Sequence, residues 1–170
     1  MRIKKGYWVW GLFPSRETNL LNEIKAKVQS KLKSPFFETH ITLTGPYFNI
    51  DKSFLNKLKT FGESNSVVIL NADGYDFKQE MFKSFYISIK NSKHLDKLRK
   101  NIYELNKFDL ENKYLPHISL SYGNHEIKEK KILISKLPVF RTPIKISKIA
   151  LVEVDEDINL WKILKSFDLY

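Results

Sequence analysis

The chain contains no cysteine. That excludes a disulfide framework and thiolate chemistry, and it fits a cytoplasmic setting. No apolar run reaches the ~18 residues that a spanning helix needs, so no membrane span is expected. The first 13 residues carry Arg2, Lys4 and Lys5 before an apolar stretch. That stretch is rich in aromatics and has no small-residue cleavage site, so it reads as a strand rather than a signal peptide. There is no His-Glu-x-x-His, no cysteine pair and no dense cluster of histidine with carboxylates, so no metal site is implied. A glycine-rich phosphate loop and a Gly-x-Ser-x-Gly elbow are also lacking, and no cofactor is expected. Arginine is confined to Arg2, Arg16, Arg99 and Arg141. A dedicated nucleic-acid binder would more often show arginine-rich patches.

What is present is enough for a sizeable interior. Of the 170 residues, 42% are hydrophobic and 14% aromatic, which suits one domain over 1–170, built as two small lobes. The formal net charge is +10, almost all from lysine. Such a surface attracts anions such as nucleotides or RNA ends, although a low-GC coding bias would give the same composition.

Periodicity alternates between helix and strand. Tyr7 to Phe13 reads as a strand stopped by Pro14. Leu20, Ile24, Val28 and Leu32 recur every four residues and predict an amphipathic helix, closed at Ser34-Pro35. Phe36 to Thr44 reads as a strand that turns at Gly45-Pro46. Asp51 is an N-cap candidate for a helix that Gly62 would end. Ser66 to Leu70 and Phe85 to Lys90 read as hairpin partners. Ser92 caps a third helix carrying Leu95, Leu98, Ile102 and Leu105. Tyr114 to Tyr122 is a strand, Ile127 to Leu137 a shorter helix. Pro143 to Val154 and Leu160 to Leu169 form a last strand pair across the acidic turn Asp155-Glu156-Asp157. Interleaved elements with hairpin-length links predict an α+β fold with mostly antiparallel sheets.

One short pattern occurs twice, once in each half. His40-Ile41-Thr42-Leu43 and His117-Ile118-Ser119-Leu120 both read His, apolar, hydroxyl, apolar. Residues two apart on a strand share a face. Each copy therefore offers an imidazole beside a hydroxyl on one face and two aliphatic residues for a core on the other. The two remaining histidines have blander surroundings: His94 opens a charged helix, and His125 follows a Gly-Asn turn, so both are expected at the surface. Two imidazoles and two hydroxyls meeting in one groove would suit the opening of a phosphodiester.

The flanks extend the pattern. Phe37-Glu38-Thr39-His40-Ile41-Thr42 resembles the first motif of the two-histidine (2H) phosphoesterases, and Tyr114-Leu115-Pro116-His117-Ile118-Ser119-Leu120-Ser121-Tyr122 resembles the second. Tyr7 to Leu12 with Pro14 is similar to their first strand, and Leu160-Trp161-Lys162 to a tryptophan-containing last strand. Within that superfamily the cyclic phosphodiesterases are the nearest in pattern. Thr39 stands where the family often has proline. The resemblance implies a bilobal α+β fold of two mostly antiparallel sheets with outer helices and a central groove. It implies a metal-free enzyme acting on 2′,3′-cyclic nucleotides or ADP-ribose 1″,2″-cyclic phosphate, and a monomer working on small molecules or RNA ends. His40 and His117 would be the catalytic acid and base, with His117 as base for cyclic-phosphate hydrolysis. Thr42 and Ser119 would hold the phosphate oxygens. An RNA-end or 2′,5′-linkage phosphodiesterase, a hydrolase of cyclic oligonucleotides and a non-catalytic nucleotide or RNA binder are the alternatives. Tyr122 falls on the opposite face by strict alternation, so core packing and a phosphate contact both stay open. Trp8 and Trp10 share a face of the first strand and suit either the core or a nucleobase stack.

Overall fold

The computed structural model describes residues 5–106 and 114–170. Its strands are β1 (Gly6–Leu12), β2 (Ile41–Tyr47), β3 (Val68–Asp76), β4 (Phe85–Ile89), β5 (His117–Ser121), β6 (Pro143–Ile146), β7 (Lys148–Val154) and β8 (Lys162–Asp168). Its α-helices are α1 (Ser15–Gln29), α2 (Lys52–Ser64), α3 (Lys93–Leu105) and α4 (Ile127–Lys136). The α+β prediction holds. All strand pairs are antiparallel, in the order β6-β3-β4-β5-β2-β1-β7-β8. The two motif strands, β2 and β5, are neighbours at the centre, paired at Ile41 opposite Ile118.

The helices share one face of the sheet. Leu21, Ile24 and Val28 of α1, Phe54 and Leu58 of α2, Leu95, Leu98 and Ile102 of α3 and Leu133 of α4 all join one core with Val9, Ile41, Leu43, Ile118 and Leu120. Burying each of the last four is worth roughly 1.5–3 kcal/mol. A one-residue slip of either motif strand would expose two of them together, so the register is strongly held. Alternation then sends Trp8, Trp10, Thr42, His117 and Ser119 to the face opposite the helices. Among the described residues no helix is long and apolar enough to cross a membrane.

Several boundaries differ from the sequence reading, each for a local reason. The first buried residue of α1 is Leu21, while Leu20 is exposed. The apolar spacing is therefore three then four, and α1 stops at Gln29, well before Pro35. Gly45-Pro46 does not end β2. The chain passes through a bulge there, and an added Cβ at Gly45 would lie 2.7 Å from the Trp8 ring. Glycine is needed because the Trp8 indole rests on the backbone. Gly62 does not end α2 either; its missing Cβ lets the helix approach the Asp168 carbonyl. β3 continues through Gly74, where φ is +96° and the register with β4 shifts, as a bulge allows. The stretch from Pro143 to Val154 is two strands, because the chain leaves β3 after Ile146 and joins β1 from Lys148. The caps at Asp51 and Ser92 form as predicted, accepting from the amides of Phe54 and Leu95.

Candidate functional site

The Ile41–Ile118 pair fixes how the two motifs meet. Extended by one residue either way, an antiparallel register sets His40 across from Ser119 and Thr42 across from His117. Each imidazole thus faces the hydroxyl of the other copy. Neighbouring strands continue the row: Ser88 of β4 pairs with His117, Tyr86 with Ser119, and Trp10 of β1 with Thr42. The rings are near enough for a charge on His117 to oppose one on His40.

Both histidines are held in the same way. His40 Nδ1 lies 2.7 Å from the Glu38 carbonyl, and His117 Nδ1 lies 2.7 Å from the Leu115 carbonyl. A carbonyl oxygen can only accept, so Nδ1 carries the hydrogen in each ring. Nε2 is left as the atom that takes or gives a proton. Burial holds the His40 imidazole down to about 3, against the Glu38 hydrogen bond and with help from the charges of Lys25 and His117. His117 is also lowered by burial; Lys83 and Lys78 add to this, while the Leu115 carbonyl and Glu80 oppose it. Both rings are therefore neutral at pH 7, and an anion bound between them would favour their charged forms.

Aromatic side chains wall the site. Trp10 lies flat on His40, with ring centroids 3.5 Å apart and planes within 5°. Trp161, just ahead of β8, meets Trp10 edge-on at 5.7 Å and Tyr122 at 5.7 Å, and Phe82 lies 6.1 Å away. Its Nε1–H donates to the Asp155 carbonyl at 2.8 Å. Tyr122 sits beyond the end of β5, so strand alternation does not govern it. It is buried, stacked on Phe37 at 4.0 Å, and hydrogen-bonded to Ser119. Packing and a polar contact at the site are both present. Trp8 is half-buried against Gly45, one step along the same face from Trp10.

One of the two expectations for the remaining histidines changes. His94 is exposed as expected. His125 is not a free surface residue: its Nε2 lies 3.3 Å from Ser121 Oγ and 3.2 Å from the Tyr122 carbonyl, and it fills the space beside Gly123. It pins the end of β5. Trp161 and Phe82 were not singled out as site residues from the sequence. Trp161 was visible only as part of a family-like last strand, and Phe82 carries no local signal. Among the described residues no group of three or more His, Cys, Asp or Glu is placed to hold a metal ion.

Comparison with known proteins gives the class. The sequence model of the 2′-5′ RNA ligase superfamily matches residues 13–158. The chain belongs to that superfamily, the two-histidine phosphoesterases. Solved structures share its fold over nearly the whole length. TT0787 of Thermus thermophilus is 14% identical with a TM-score of 0.67, over 99% of this chain and 98% of that one. E. coli LigT complexed with 3′-AMP is 13% identical with a TM-score of 0.63, over 97% and 98%. E. coli LigT complexed with NADP+ is 12% identical with a TM-score of 0.57, over 97% of each chain. No curated protein matches the sequence.

Proposed function

We propose that the protein hydrolyses a cyclic phosphodiester, a 2′,3′-cyclic nucleotide or ADP-ribose 1″,2″-cyclic phosphate, by metal-independent acid–base catalysis between His40 and His117. The observation that carries this reading is the shared geometry of the two imidazoles. Each is locked by a carbonyl at Nδ1, presents Nε2, and faces a hydroxyl across the β2–β5 pair. Two lobes, each contributing one motif strand, would form the groove within a single 1–170 domain, so one chain would suffice for activity.

In this mechanism His117, the more exposed ring, takes the proton of the attacking water at Nε2. His40 lies under Trp10, shielded from water. It delivers a proton to the leaving ribose oxygen. The substrate phosphate supplies a counter-charge, which favours the charged form of His40 on binding. A depressed imidazolium is then a strong donor to the departing oxygen. Thr42 and Ser119 donate to the non-bridging oxygens as charge builds there, and Tyr122 orients the Ser119 hydroxyl. Trp8, Trp10 and Trp161 offer flat surfaces for a base or a ribose. That LigT was crystallised with 3′-AMP and with NADP+ supports a nucleotide ligand.

A 2′,5′-linkage or RNA-end activity is the second reading, favoured by the superfamily's own description. A substrate panel in EDTA separates them: a 2′,3′-cyclic mononucleotide, ADP-ribose 1″,2″-cyclic phosphate, a 2′,5′-linked dinucleotide and a cyclic oligonucleotide. Turnover of the cyclic mononucleotide or the ADP-ribose compound with EDTA present supports the proposal. Turnover of the 2′,5′-linked compound alone favours the second reading. Activity that requires an added metal overturns the mechanism.

A further inference from the structure

An aromatic residue stands three positions before each motif histidine, Phe37 before His40 and Tyr114 before His117. Each of these rings carries a cation from a helix. Lys25 Nζ of α1 lies 3.7 Å from the Phe37 centroid, and the Arg99 guanidinium of α3 lies 3.3 Å from that of Tyr114. The arrangement is crossed. α1 packs on β5 while Lys25 grips the lead-in to β2, donating to the Phe37 carbonyl and to Thr39 Oγ1 at 3.4 Å. Thr39 in turn donates to Asn22 of α1 at 2.6 Å. α3 packs on β2, and Arg99 Nε donates to the Leu43 carbonyl at 2.8 Å. Its stacked partner Tyr114, in the lead-in to β5, donates its hydroxyl to the Thr42 carbonyl at 2.7 Å.

These contacts are costly to keep. Among the described residues neither cation forms an ion pair. Burial pushes the Lys25 ammonium down to about 8 and lowers Arg99 as well. Glu38 offsets this for Lys25 and Asp96 for Arg99 without an ion-pair contact, and an apolar side chain of similar length would avoid the desolvation cost but leave the Phe37 and Leu43 carbonyls without these donors. Stability alone therefore does not account for two of them in matching positions.

We propose that Lys25 and Arg99 are a reciprocal pair of positioning residues that fix the orientation and separation of His40 and His117 across the β2–β5 seam. This rests on the two-histidine reading of the site. The seam needs such ties, because β2 and β5 pair only at Ile41 and Ile118. Lys25 holds Phe37 and Thr39, the residues on either side of Glu38, whose carbonyl fixes His40. Arg99 and the Thr42 carbonyl hold Tyr114, the residue ahead of Leu115, whose carbonyl fixes His117. A 1 Å misplacement of a reacting group costs about 10²-fold in rate, so small losses here are read at the chemical step.

The test uses full-length protein with 15N-labelled histidine, the variants Lys25→Met and Arg99→Met, and two readouts. Without substrate, Lys25→Met should convert the His40 signals from the Nδ1–H tautomer to a mixture and leave His117 unchanged; Arg99→Met should do the converse. With a 2′,3′-cyclic nucleotide, kcat should fall roughly 10–100-fold while KM moves little, and Lys25→Arg or Arg99→Lys should recover part of the loss. The tautomer readout needs no turnover, so it stands even if the wild-type protein cleaves none of the phosphodiesters offered. Should a methionine variant not fold, Thr39→Val replaces Lys25→Met and Tyr114→Phe replaces Arg99→Met. A tautomer shift at the matching histidine supports the proposal. Unchanged tautomers at both histidines in the folded variants, with kcat within about twofold of wild type, overturn it.

Discussion

Trp10 and His40 lie face to face with ring planes nearly parallel. The indole is the lid that takes His40 out of water, and burial is the first cause of that imidazole's depressed titration. Stacks of this kind are worth about 0.5–1.5 kcal/mol beyond the area they bury. Trp10→Leu should therefore move the His40 midpoint upward from about 3 and reduce kcat about tenfold. An NMR pH titration of the imidazole together with steady-state rates would check both.

The same depression makes stability depend on pH. His40 titrates near 3 in the folded chain and near its ordinary 6.5 once unfolded. Between those values the unfolded chain binds more protons, so stability is complete above about pH 6.5 and falls as the pH drops toward 3. The slope from one such group is at most about 1.4 kcal/mol per pH unit. Urea midpoints measured from pH 7.5 to 4 should fall with acidification, and the fall should be shallower in His40→Gln. An identical slope in the variant would contradict the assignment.

Ser119 faces His40 and shares a hydrogen bond with the Tyr122 hydroxyl. Ser119→Ala should lower kcat by about 10²-fold, the loss typical of one oxyanion donor. Tyr122→Phe keeps the stack on Phe37 but frees the serine hydroxyl, so a smaller loss of about 3–10-fold is expected, with KM little changed. Steady-state kinetics on a 2′,3′-cyclic nucleotide, with circular dichroism as the check on folding, would separate the two.

The site was legible where period-two alternation governs it. Ile41, Leu43, Ile118 and Leu120 are buried as predicted, which leaves His40, Thr42, His117 and Ser119 on the other face. Alternation fails at Tyr122 because β5 has ended by Ser121. It fails to mark the strand break at Ser147 because apolar residues run on from the alternating β6 into β7, which is buried on both faces; only the change of partner strand divides them. Gly45-Pro46 looked like a turn because the Trp8 ring that demands the glycine lies on another strand. Lys25 and Arg99 were hidden among ordinary helix cations, since their contacts are long-range. A faint signal was present, the aromatic residue three before each histidine, but nothing local says which cation it meets.

The central claim is that His40 and His117 act on one phosphorus centre. Its most direct test is a titration of labelled protein with a nucleoside 2′-monophosphate, following the Cε1–H signals of both imidazoles at pH 7. The account predicts that both rings shift toward their charged forms with a single shared Kd, and that His40→Ala or His117→Ala abolishes turnover while the fold persists. Saturation that moves only one ring, or two rings with separate Kd values, would contradict it.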